Sequence, residues 1–168
     1  MPGGIAARVA ALAEHLLARG ECLACAESCT GGWVAKVCTD MPGSSGWFER
    51  GFVTYTNLAK QEMLGVSAAT LEAHGAVSEA TVREMADGAL AHSAAQWSLA
   101  ISGIAGPGGG TVDKPVGTVW MAWAGPDNWR QAALYHFEGD REMVRRQAVA
   151  AALQGLLGQL DNGNGKPG

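Results

Sequence analysis

Glu27-Ser28-Cys29-Thr30-Gly31-Gly32 sets a hydroxyl beside a thiol, just ahead of two glycines. The segment follows the apolar run Cys22 to Ala26. It precedes a helical stretch, Trp33 to Thr39, that Pro42-Gly43 ends, so it predicts strand, tight turn and helix. Open α/β sheets place ligands at such corners. Glycines let backbone approach a ligand closely, and a helix start offers N–H groups that lack internal partners. Such donors suit a phosphate or the oxyanion of an acyl-transfer intermediate, which makes Ser28 a candidate nucleophile. The same residues also spell an ordinary Ser/Thr-rich helix cap, and motif shape does not separate the two readings. Cys29 is a rival nucleophile, but no neighbouring histidine would activate it, so the hydroxyl is preferred.

The next candidate is Lys60. With Asn57 as cap of a helix over 58–64, Lys60 falls in the first turn, against the positive end of the macrodipole. That placement costs a cation roughly 0.3–1 kcal/mol. A lysine acting as a base near neutral pH must come down by about three pH units from ~10.4, which is roughly 4 kcal/mol. Burial or a second cation must supply the difference. A solvated lysine is the commoner outcome.

Gly103-Ile104-Ala105-Gly106-Pro107-Gly108-Gly109-Gly110 resembles a phosphate-cradling loop without the Gly-Lys-Ser/Thr ending of a nucleoside triphosphatase. It reads either as a flexible turn or as a loop folding over substrate. Cys22, Cys25 and Cys29 do not make a metal site, because Cys22 and Cys25 should face opposite sides of a strand and the histidines are scattered. His74, before a glycine, reads as a helix end. Arg141 and Arg145, one helical turn apart, could meet a phosphate, although facing water is the ordinary outcome.

These residues need elements to hold them. Ile5, Val9, Leu12 and Leu16 predict an amphipathic first helix. Strands are expected over 49–56 and 97–104, and two more over 117–124 and 131–137 around the turn Gly125-Pro126-Asp127-Asn128. Ser67 and Ser78 should cap helices, the second running to Ala94, and Asp140 should cap a last helix with Val149, Leu153, Leu156 and Leu160 inward. Alternating strands and helices followed by a hairpin give an α/β class: a three-layer α/β/α single domain with a mixed sheet. The domain is expected over 1–160, with a disordered Asn- and Gly-rich tail over 161–168.

The 168 residues carry a formal net charge of −4 with no clustered Lys/Arg footprint, so nucleic acid is not an expected partner. No apolar run approaches the ~20 residues of a membrane span, and Met1 to Arg19 does not have the order of a secretory signal. The expected address is cytoplasmic, where the four cysteines would be free thiols.

Taken in order, Ala26-Glu27-Ser28-Cys29-Thr30-Gly31-Gly32, Arg50-Gly51-Phe52-Val53-Thr54-Tyr55-Thr56-Asn57 with Lys60, and His74-Gly75-Ala76-Val77-Ser78 resemble the competence-damage-inducible protein C-terminal domain family. Ser102-Gly103-Ile104-Ala105-Gly106-Pro107 and Lys114-Pro115-Val116-Gly117-Thr118-Val119 continue the resemblance, which spans roughly residues 5 to 160. Longer members carry an additional N-terminal domain, which this chain is expected to lack. The resemblance implies a nicotinamide-nucleotide amidohydrolase, converting nicotinamide mononucleotide to nicotinate mononucleotide and ammonia within pyridine nucleotide recycling. It makes Ser28 the nucleophile, with Tyr55 and Lys60 as activating partners. Lys60 would take the Ser28 proton directly or through the Tyr55 hydroxyl, N–H groups near Thr30 and Gly31 would hold the oxyanion, and Gly32 is expected to bind substrate with them. The loop that contains Ser102, Gly103, Ile104, Ala105 and Gly106 is favoured for the phosphate. No cofactor and no metal are expected, because the pyridinium charge already draws electrons from the carboxamide. A homo-oligomer is implied, to which exposed tryptophans could contribute. Another small amide as substrate, or a non-catalytic nucleotide-sensing or interaction module, are the alternatives.

Overall fold

A computed structural model describes residues 4–164. Helix α1 (Ile5–Arg19) leads into β1 (Leu23–Glu27), α2 (Trp33–Thr39) and β2 (Phe48–Val53). Three helices follow, α3 (Asn57–Leu64), α4 (Ala68–His74) and α5 (Glu79–Ala91), before β3 (Trp97–Gly103). The hairpin β4 (Thr118–Gly125) and β5 (Trp129–His136) precedes α6 (Arg141–Asn164). The sheet order is β2-β1-β3-β4-β5, with β2, β1 and β3 parallel and β4 and β5 antiparallel. This is the expected three-layer mixed α/β architecture.

Alternation along β1 splits the core. Leu23 and Cys25 pack with α1, α2 and α6, whereas Ala24 and Ala26 pack with α3 to α5. The second face is built from small residues, Ala24, Ala26, Ala100, Ala122 and Ala124, which let α5 lie close to the sheet. The first is filled by larger ones, including Trp123, whose Nε1 donates to the Ala152 carbonyl on α6 (2.9 Å). The connection from β1 to β2 runs over one face and that from β2 to β3 over the other. The gap between the C-terminal ends of β1 and β3 is therefore the topological switch point, where such sheets form a crevice.

Local chemistry accounts for most boundaries. Ser67, Ser78 and Asp140 accept main-chain N–H bonds as caps. Asp127 and Asn128 both adopt positive φ (58° and 64°), the left-handed pair that a tight hairpin turn needs. The cap of α3 is Thr56, not Asn57: its side chain accepts from Ala59 N at 3.1 Å. Helix α5 stops at Ala91, three residues before the expected end. Strand β2 ends at Val53, short of the expected end, where its partner β1 also ends at Glu27; Thr54 N makes the last bond of that pairing, to the Glu27 carbonyl (2.8 Å). Cys22 lies ahead of β1, not within it, and all four cysteines are free.

Helix α6 continues through 161–164, into the stretch expected to be disordered. Its Asp161 carboxylate lies 2.7 Å from His15 Nε2 on α1, a tertiary contact that composition does not show. Residues 165–168 of that expected tail lie outside the described residues. None of the six tryptophans is fully exposed: Trp33, Trp120 and Trp129 are half-buried, and Trp47, Trp97 and Trp123 are buried. No helix among the described residues is long and apolar enough to cross a membrane.

Candidate active site

Ser28 follows the last residue of β1 at the switch point and is 8% exposed. It borders a cleft of about 280 Å³. Tyr55 and Lys60 form one wall of the cleft, Ala76 and Val77 a second, and residues 102–106 with Arg141 a third.

Lys60 is brought in by α3, where Lys60 and Leu64 share the buried face. It is 1% exposed. Its Nζ lies 3.0 Å from Ser28 Oγ, 3.0 Å from the Thr54 carbonyl and 3.3 Å from the Tyr55 carbonyl. Among the described residues no carboxylate pairs with it, and all three partners are neutral oxygen atoms. An ammonium would have to donate to all of them. A neutral amine would donate two N–H bonds to the carbonyls and turn its lone pair to the hydroxyl. Burial pushes Lys60 below its ordinary lysine value, the direction a base requires.

Tyr55 is present through its main chain. Its carbonyl accepts from Lys60 and stands 3.4 Å from Ser28 Oγ. Its phenol, 58% exposed, accepts from Arg141 Nη2 at 3.0 Å. The Lys60 amine thus reaches the serine directly, whereas the phenol that would serve as the alternative relay is hydrogen-bonded to Arg141. Cys29 is buried beside Ser28, and burial pushes its thiol up to about 11, which disfavours a thiolate there.

The start of α2, where oxyanion donors were expected, turns several of its N–H groups to other acceptors. Gly31 N donates to the Ser28 carbonyl (3.1 Å). The N–H groups of Val34 and Ala35 go to the buried Glu27 carboxylate at 2.9 and 3.0 Å. Thr30, Gly31 and Gly32 border a different hollow, with Trp33, Lys36 and Arg145. Of the residues expected to bind substrate, Ser102, Gly103, Ile104, Ala105 and Gly106 thus border the Ser28 cleft, and Thr30, Gly31 and Gly32 do not.

The two arginines are also more engaged than their sequence context indicated. Arg141 donates to the Gly106 carbonyl (2.8 Å) as well as to Tyr55, at the rim of the cleft. Arg145 stacks over Trp33 and donates to the carbonyls of Cys29 and Thr30, behind the turn. His74 ends α4, and its carbonyl accepts from Lys114 Nζ (2.8 Å). Sequence reasoning missed Glu27 as a helix-start acceptor and Ala76 and Val77 as a wall. Glu27 lies too far before α2 to match a capping pattern, and the other two carry no chemical signal.

The family model described as the CinA C-terminal domain matches residues 6–160. The chain is 58% identical over 147 residues to nicotinamide-nucleotide amidohydrolase PncC of Escherichia coli (strain K12), covering 88% of this chain and 89% of that protein. It is 52% identical over 143 residues to a CinA-like protein of Akkermansia muciniphila, of which it spans 34%. Among solved structures, the competence/damage inducible protein CihA of Agrobacterium tumefaciens superposes with a TM-score of 0.92 at 41% identity, covering 96% of this chain and 98% of that one.

Proposed function

The chain belongs to the CinA C-terminal domain family, and on that premise we propose that it hydrolyses the carboxamide of nicotinamide mononucleotide, giving nicotinate mononucleotide and ammonia. The observation that carries the reading is the Ser28–Lys60 pair: a hydroxyl 3.0 Å from a buried amine that has no counter-ion among the described residues and whose other hydrogen bonds go to carbonyl oxygens. The names of relatives at 58% identity supply the substrate.

Neutral Lys60 takes the Ser28 proton as Oγ attacks the carboxamide carbon. The tetrahedral intermediate collapses, and the Lys60 ammonium returns the proton to the leaving nitrogen, which departs as ammonia. Water, deprotonated by the same amine, then cleaves the acyl ester and frees the carboxylate product. Residues 102–106 border the space in which the oxyanion would form; Ile104 N is committed to the Thr118 carbonyl (2.9 Å), so the N–H groups of Ala105 and Gly106 become its candidate donors. The Arg141 guanidinium, hydrogen-bonded among the described residues to a carbonyl and a phenol, is a cation placed at the rim for the phosphate.

The test is ammonia release from nicotinamide mononucleotide, beside free nicotinamide and glutamine, with and without a chelator. Chelator-insensitive release from the nucleotide alone is expected. Preference for either of the other amides would replace the substrate, and release from none of the three would overturn the reading.

A further inference from the structure

Glu27 is 0% exposed, yet among the described residues no cation is hydrogen-bonded to its carboxylate; burying such a group is costly unless fixed donors satisfy it. Its partners are all donors from the segment around Ser28. Oε1 accepts from Thr30 Oγ1 (2.7 Å) and Val34 N (2.9 Å), and Oε2 accepts from Ala35 N (3.0 Å) and faces Cys25 Sγ (3.5 Å). The positive end of α2 thus meets an internal anion.

The side of the sheet matters. Alternation along β1 directs Glu27 towards α2 and directs Ser28 towards α3 and Lys60. One carboxylate therefore ties the strand end, the turn and the first turn of the helix together from behind. Ser28 itself adds main-chain bonds, its N–H to the Ile101 carbonyl (3.0 Å) and its carbonyl from Gly31 N (3.1 Å).

We infer that Glu27 is a positioning residue for the nucleophile: by closing the donors on both sides of the turn, it holds Ser28 Oγ within reach of Lys60 Nζ. The inference rests on the assignment of Ser28 as nucleophile. It acts through geometry, because Glu27 contacts neither the cleft nor Lys60.

The test is Glu27→Gln, which keeps the volume but turns an amide N–H₂ towards one of the donors. A misplacement near 1 Å at a reacting group costs about 100-fold. Glu27→Gln should therefore lower kcat on nicotinamide mononucleotide by about 10- to 100-fold with KM within twofold, and a crystal structure should show Oγ withdrawn from Nζ. Thr30→Val, which removes one of the bonds and is easier to fold, should lower kcat by about three- to tenfold, again at constant KM. Wild-type kcat in both variants would overturn the inference and leave the amidohydrolase reading intact. If the wild-type protein releases no ammonia, that reading fails by itself. The Oγ to Nζ distance in the Glu27→Gln crystal then decides the inference, an unchanged distance overturning it.

Discussion

Three lysines show what environment does to one functional group. Lys36 pairs with Asp40 in water and Lys114 reaches a helix-end carbonyl, whereas Lys60 is enclosed with no anion. Burial lowers the pKa of Lys60, which favours loss of its proton. Replacing Lys60 by Met should lower kcat by about 100- to 10,000-fold, the range of a lost general base. Ser28→Ala should abolish ammonia release without changing the unfolding midpoint. In the wild-type protein, kcat/KM should rise as Lys60 loses its proton, with an apparent pKa below that of an ordinary lysine. The same shift has a stability consequence. Between the depressed native value and the unfolded value of ~10.4, the unfolded chain binds the extra proton, so stability rises with pH across that window. Urea midpoints measured against pH should show this rise, and Lys60→Met should flatten it.

At the scale of elements, the position of Lys60 depends on how α3 is seated. Thr56 caps its start, and Thr56→Ala should cost about 1 kcal/mol in urea unfolding. Its far end is pressed against α5 at Gly88, where an added Cβ would stand 2.0 Å from the Leu64 carbonyl oxygen. That obstacle is backbone and cannot swing away. Gly88→Ala should therefore cost about 1–3 kcal/mol and, by displacing the helix that bears Lys60, lower kcat as well. Gly103 at the end of β3 is constrained in the same way: a Cβ there would lie 2.9 Å from the Thr118 carbonyl oxygen and 2.6 Å from Val119 Cγ2. A glycine run that reads as pliable in sequence begins at a residue that the strand pairing requires to be small.

Across the whole molecule, the crevice exists because the chain changes faces between β1 and β3, and α6 closes it by returning Arg141 to the rim. Trp123 is the main anchor of that helix to the sheet, buried and bonded to Ala152, with its ring where a Cβ on Gly155 would fall (2.2 Å). Trp123→Ala should destabilise the domain by about 3–5 kcal/mol in calorimetric or urea unfolding. What the residues determined alone was local: the strand-turn-helix corner with Ser28 at its apex, the caps at Ser67, Ser78 and Asp140, and the tight hairpin. Each of these depends on bonds within a few residues, so type and spacing suffice. Tertiary structure decided the rest. It buried Lys60 against a serine 32 positions away, gave the Tyr55 phenol to an arginine 86 positions on, and spent the donors of α2 on Glu27. Those contacts follow from strand order and helix packing, because whether a lysine is solvated or enclosed depends on the neighbours that fold over it.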